Sequence, residues 1–319
     1  MSCGRCGSRC AAPPGPHGSH LRAAAWRLTT AILVKFYVGN WDAVLTEAEL
    51  ARVDDAKSKA ERDFFVQRAL LAKGECDKVL KTIPESAPQI EMRALRLVAV
   101  VASPSTSADV KNKALTDLKL WTEQDATNNA SVAVMAGTAF FLAGDHNEAL
   151  RALRGRGQPG LEAMHLSTCI YLSVDRVDAA NRVLEQMIAK EEDSTLTQLS
   201  EAWVYLALGG KDLYRDAVSI LQDLIGKWQA TPMLVGALSA VLMQQDRLAE
   251  ADKVLAQCLD AHPEDASLVV SRIACAQHSN VSPIDWVTKL KSVAPNHAWF
   301  KNMVAQAQVF DAAAKTYVP

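Results

Sequence analysis

Three groups of residues in this sequence could carry chemistry. Cys3-x-x-Cys6, with Cys10, His17 and His20 close behind, offers five soft donors near the N-terminus. Structural zinc sites separate their ligand pairs by roughly a dozen residues and embed them in a small fold. Here the donors crowd into Gly- and Pro-rich chain, so the segment reads as a floppy tail over 1–20. Gly155-Arg156-Gly157-Gln158-Pro159-Gly160 matches G-x-G-x-x-G letter for letter. A dinucleotide site needs that loop between a strand and a helix, so that backbone amides cradle the pyrophosphate. The residues on either side have helical periodicity and the loop holds a proline, which makes it a turn between helices. The third group is the histidines, of which His146, His165, His262 and His278 are scattered singly, and His278 reads as a satisfied polar residue after a helix. No G-x-x-x-x-G-K-[ST], H-E-x-x-H or G-x-S-x-G is present. The expectation is a protein with no catalytic residues, metal or cofactor.

The elements around these residues are helical nearly everywhere from residue 21. Apolar residues recur at i, i+3, i+4 and i+7 in segments such as 132–142, 161–172, 196–208, 233–243 and 268–275. Gly, Asp, Asn or Pro separates them, and the prolines beyond the tail fall in gaps or at helix starts, where they do not kink a helix. The chain has 319 residues, 49% of them hydrophobic and 22% charged, which is enough to build a core. Its net charge of −2 argues against a nucleic-acid binder, which carries a basic excess. No apolar run reaches the roughly 18–20 residues that span a bilayer. Seven cysteines, four of them (Cys76, Cys169, Cys258, Cys275) alone in apolar segments, suit buried thiols in a reducing compartment. The acid-free, Arg-bearing N-terminus fits a floppy tail, an untidy translation start or a transit segment.

The helices repeat. An x-A-x-x-L pattern early in alternate helices aligns Ala43, Lys78, Ala114, Ala149, Ala179, Ala217, Ala251 and Val287, at spacings of 35, 36, 35, 30, 38, 34 and 36. Twelve residues before most of these stands a small residue: Ala31, Ala102, Gly137, Ser167, Ser239 or Cys275. A period near 34 with small residues on both facing helices is the tetratricopeptide (TPR) signature. The fold expected is all-α, an α-α superhelix of TPR-like hairpins over 21–319, each burying its apolar face against its neighbours. In Phe141-Leu142-Ala143-Gly144-Asp145, Gly144 ends one helix with positive φ and Asp145 caps the next. Ala298 to Tyr317 is expected to form a terminal capping helix.

In such an array the first helix of each hairpin lines the concave face. Val134, Thr138, Phe141, Met164, Tyr171, Leu199, Trp203, Leu206 and Met243 fall there, and they are almost wholly apolar. Such a groove suits an apolar or aromatic partner segment. It lacks the Lys, Arg and Asn that grip an acidic peptide terminus. Phe141, Met164, Tyr171, Leu199, Trp203, Leu206 and Met243 are the candidate partner-binding residues.

One block is specific. Asp193-Ser194-Thr195-Leu196-Thr197-Gln198-Leu199, running into Ala202-Trp203-Val204-Tyr205-Leu206-Ala207-Leu208-Gly209-Gly210, resembles the central signature of the coatomer epsilon subunit family. Phe36-Tyr37-Val38-Gly39-Asn40-Trp41, Glu61-Arg62-Asp63, the unit from Arg247 to Pro263 and Lys289-Leu290-Lys291 are similar to further parts of it. The resemblance covers roughly 35–319; before that, Ala23 to Lys35 lacks the family's acidic, Phe-containing first helix. It implies a non-enzymatic subunit of the COPI vesicle coat, wrapped around the C-terminal region of the coatomer alpha subunit. It implies transport from Golgi to endoplasmic reticulum and within the Golgi. It also implies a place in the cytoplasm and on Golgi and COPI-vesicle membranes, reached only indirectly through the coat, and no nucleic acid. The residues alone leave a second reading open, a different TPR adaptor such as a co-chaperone or organellar assembly factor.

Overall fold

A computed structural model describes residues 31–51, 55–123, 129–154 and 158–317. The Cys-rich tail over 1–20 lies outside them. Among the described residues the structure is helical throughout, with no strand. Helix α1 covers 31–37, and α2 (Trp41–Leu50), α3 (Ala56–Ala72), α4 (Cys76–Thr82), α5 (Ile90–Ala102) and α6 (Ala108–Glu123) follow. Next come α7 (Ala130–Leu142), α8 (His146–Arg154), α9 (Leu161–Ser173), α10 (Val177–Glu191), α11 (Thr195–Leu208) and α12 (Lys211–Trp228). The last are α13 (Pro232–Gln244), α14 (Leu248–Ala261), α15 (Ala266–His278), α16 (Ile284–Val293) and α17 (Ala298–Thr316).

All eight repeat anchors fall on even-numbered helices, one per helix from α2 to α16. Ala114, Ala149, Ala179, Ala217 and Ala251 are buried there, while Lys78 points to solvent beside a buried Val79. Each small residue twelve positions earlier lies on the preceding odd-numbered helix. At Gly137 the reason is steric: a Cβ there would meet Leu153 Cγ and Cδ2 at 2.7 Å, so α7 and α8 pack closely only because this position is bare.

The turns inside the hairpins share one device. Gly39, Gly74, Gly144 and Gly209 have positive φ, as expected for Gly144, and Asp145 Oδ1 accepts the Glu148 amide at 3.0 Å to cap α8. In three other hairpins Asp175, Asp246 and Asn280 take the left-handed conformation in place of glycine. Asp and Asn tolerate it best among residues with a Cβ. Gly155–Gly157 lie outside the described residues, and Gly160 leads directly into α9, so the G-x-G-x-x-G string joins two helices.

Odd-numbered helices stack in series from α3 to α11 and again from α13 to α15. Between α11 and α13 direct contact is slight; α12, entered through the positive-φ Gly209-Gly210 turn, packs on both. One apolar core runs from Ile32 of α1 to Ile170 of α9, and a second from Leu199 of α11 to Leu290 of α16. Helix α1 and the residue after it belong to both: Ile32 and Phe36 pack into the first, Val34 and Val38 into the second, and Tyr37 touches both.

The array therefore curls back on its own beginning. The Thr231 hydroxyl donates to the Val38 carbonyl at 2.6 Å, and the Asn40 amide donates to Gln229 Oε1 at 3.3 Å. Arg68 of α3 pairs with Glu162 of α9, and its guanidinium lies over the Phe36 ring, 4.5 Å from the centroid. An ion pair taken out of water needs such company, since two charges alone would not recover their desolvation cost.

The C-terminal helix forms over Ala298–Thr316, within the expected residues. None of its side chains is buried. Only Trp299 and Phe300, in the first turn, pack against the second core.

Candidate partner-binding groove

A concavity of about 1010 Å³ opens between Trp203 of α11 and the start of α13. Trp203 comes to it from α11, Gly39 to Asp42 from the α1–α2 turn and the start of α2, Gln229 to Met233 from the α12–α13 turn and the start of α13, and His262 to Asp265 from the turn before α15. Trp41, Trp203, Pro232 and Met233 give it apolar faces. Its polar rim is largely engaged within the protein: Lys73 pairs with Asp42, and Asp265 Oδ1 accepts the Leu268 amide at 2.9 Å. The volume is ample for several residues of an inserted segment, and the lining favours an apolar or aromatic one.

Trp203 owes its position to the helix that carries it. α11 begins at Thr195, just after Ser194, and Leu196, Leu199, Ala202 and Val204 are buried on the sides that pack against neighbouring helices. Trp203 lies between those sides, half-buried. Its ring stacks on His165 of α9 with centroids 5.1 Å apart and planes at 36°. His165 Nδ1 and Ser200 Oγ are hydrogen-bonded at 2.7 Å, which fixes the imidazole beneath the indole.

Of the other groove residues expected from sequence, Phe141, Tyr171, Leu206 and Met243 are half-buried and stand elsewhere on α7, α9, α11 and α13. Phe141 packs on His146, 5.7 Å between centroids. Two belong to the interior instead. Leu199 is fully buried with Val38 and Leu221, and Met164 packs with Met187 and Leu196. Val134 is buried as well, while Thr138 is half-buried with its hydroxyl bonded to the Val134 carbonyl. Helix α1 covers part of the face that the odd-numbered helices would otherwise present. Sequence reasoning missed Trp41, Pro232 and Met233, because only the curl of the array brings them beside Trp203.

The cluster under Trp203 holds His165, Cys169 and Ser200, residue types that elsewhere do nucleophilic chemistry. Here burial pushes the Cys169 thiol up to about 12, so it stays protonated and unreactive. Burial also pulls His165 down to about 4. A histidine near 6.5 when unfolded and near 4 when folded takes up its proton in the unfolded state first. Stability is therefore intact above pH 6.5 and falls as pH drops from 6.5 toward 4. The expected loss is about 1–2 kcal/mol, reduced from the full linkage value because the residue keeps some solvent contact. Chemical denaturation between pH 7 and 4.5 measures it, and His165→Gln should flatten that part of the profile. Among the described residues no group of His, Cys, Asp and Glu could hold a metal ion.

Comparison with known proteins gives one consistent family. The family model described as Coatomer epsilon subunit matches residues 31–318. Coatomer subunit epsilon-1 of Arabidopsis thaliana is 29% identical, over 88% of this chain and 94% of its own length. Coatomer subunit epsilon-2 of Oryza sativa subsp. indica is 31% identical, over 87% of this chain and 93% of its own. Coatomer subunit epsilon of Caenorhabditis elegans is 26% identical, over 86% and 94%. Among solved structures, a tetratricopeptide repeat protein from Parabacteroides merdae superposes with a TM-score of 0.53 at 12% identity, covering 83% of this chain and 97% of that one. A chain of the APC/C hetero-tetramer Cut9-Hcn1 gives 0.55 at 16% identity, covering 91% and 60%. These two bear on the fold alone.

Proposed function

This chain belongs to the coatomer epsilon subunit family, and from that premise we propose that its curled TPR array holds the C-terminal region of the coatomer alpha subunit. The observation that carries the proposal is the Trp203 concavity. It is a large opening with apolar faces, framed by the first hairpin and the α12–α13 turn. Trp203 is the central anchor, with Phe141, Tyr171, Leu206 and Met243 as further contacts. A rigid, multiply anchored arc fits a permanent structural partner, since a preorganised surface has little ordering entropy to lose on binding.

The role is that of a non-enzymatic scaffold in the COPI coat, supporting Golgi-to-endoplasmic-reticulum and intra-Golgi transport. No described helix is long and apolar enough to cross a membrane. Membrane association would come through the assembled coat. Co-expression with the C-terminal region of the alpha subunit tests the reading. A stoichiometric complex on size exclusion is the expected result, and two separate peaks under the same conditions would reject it.

A further inference from the structure

The walls of the Trp203 concavity come from distant parts of the chain. Gly39 to Asp42 and Lys73 belong to the first repeats, while Trp203 and Gln229 to Met233 belong to the second half. Helices α2 and α3 pack chiefly on each other, α4 and α5, so few ties join the two walls. Helix α1 crosses between the two cores. Beside it, the Thr231–Val38 and Asn40–Gln229 hydrogen bonds span the seam. Gly39 lies so close to α13 that a Cβ on it would stand 3.2 Å from the Met233 Cβ. Among the described residues the one ion pair that crosses from the first repeats to α9 is Arg68–Glu162.

That pair is built into an aromatic box. The buried Arg68 guanidinium lies 4.5 Å from the Phe36 centroid, 5.4 Å from Phe64 and 5.0 Å from Phe65. Tyr37 meets Phe36 and Phe65 edge-on, and its phenol faces both Glu162 and Arg68. Burial and the Glu162 charge raise the phenol well above its ordinary pKa, so it stays protonated and can donate to the carboxylate. Glu162 also stands one turn before His165, on which the Trp203 indole rests. None of Tyr37, Arg68 and Glu162 lines the concavity. We infer that these three are positioning residues of the partner site: they hold the first hairpin closed against α9 and α13, and so assemble the concavity without touching its occupant. A partner that grips both walls binds only the closed array, and by linkage it must stabilise closure in return. The inference rests on the functional reading above.

Glu162→Gln tests this on the full chain. It keeps the side-chain shape but leaves the Arg68 charge without its counter-charge, a cost that the closed form alone bears. The variant should bind the C-terminal region of the alpha subunit about tenfold more weakly, which corresponds to a closed fraction of about one in ten. Hydrogen exchange should quicken at the amides of 36–40 and 233–235, while those of α7 keep their protection. Arg68→Met combined with Glu162→Leu removes both charges from the site and should restore affinity to within about threefold of the unmodified chain. In the unmodified chain, partner binding should slow exchange across 64–69, away from the concavity, by at least about fivefold. Full affinity in Glu162→Gln with an opened seam would overturn the inference, as would a loss of protection in α7 equal to that at the seam. A chain that binds the partner while 64–69 gains no protection would overturn it and leave the functional reading intact. An unmodified chain that binds none of the alpha-subunit region would overturn both.

Discussion

Trp203→Ala should weaken the complex with the coatomer partner by about 2–4 kcal/mol, the range of a central aromatic anchor. The same change should cost the free protein less, about 1–2 kcal/mol, because the ring is half-buried and loses its stacking on His165. The order of these two effects carries the argument. A residue of the interior shows the reverse, with large destabilisation and a binding loss that only follows unfolding. Titration calorimetry and thermal melting on one preparation separate the cases. A variant that melts and binds normally would remove Trp203 from the interface.

Leu199→Ala is the matched control, one turn earlier on the same helix. Its side chain is fully buried with Val38, Leu221 and Leu234, so truncation leaves a cavity and should cost about 2–5 kcal/mol of stability. Below the melting transition, binding per folded molecule should be unchanged. Melting curves followed by a binding assay well below the midpoint test both halves. Tight burial on one side of α11 and an open face four residues away are what the structure requires.

That pair also shows what was legible in the sequence. Leu199 and Trp203 are four apart and share a helix face, so periodicity assigns both to the groove. They part because Val38, some 160 positions earlier, packs against the leucine end of that face. The repeat itself was readable, since each hairpin must place a small residue against its partner helix, and Ala149 and Gly137 do so in plain view. The left-handed turn was readable where glycine marks it and hidden at Asp175, Asp246 and Asn280, where the backbone takes the same conformation without it. The curl was not readable. Solenoid logic predicts contacts between neighbouring repeats, and the Thr231–Val38 hydrogen bond joins the first hairpin to the start of α13.

Photo-crosslinking from position 203 tests the central claim most directly. A photoreactive phenylalanine analogue would replace Trp203 in the full chain, with a second placed at Arg215 on α12, a solvent-facing control away from the concavity. The account predicts that irradiation in gently lysed cells joins position 203, and not position 215, to the C-terminal region of the coatomer alpha subunit. Crosslinks to that region from position 215 and none from 203 would contradict it.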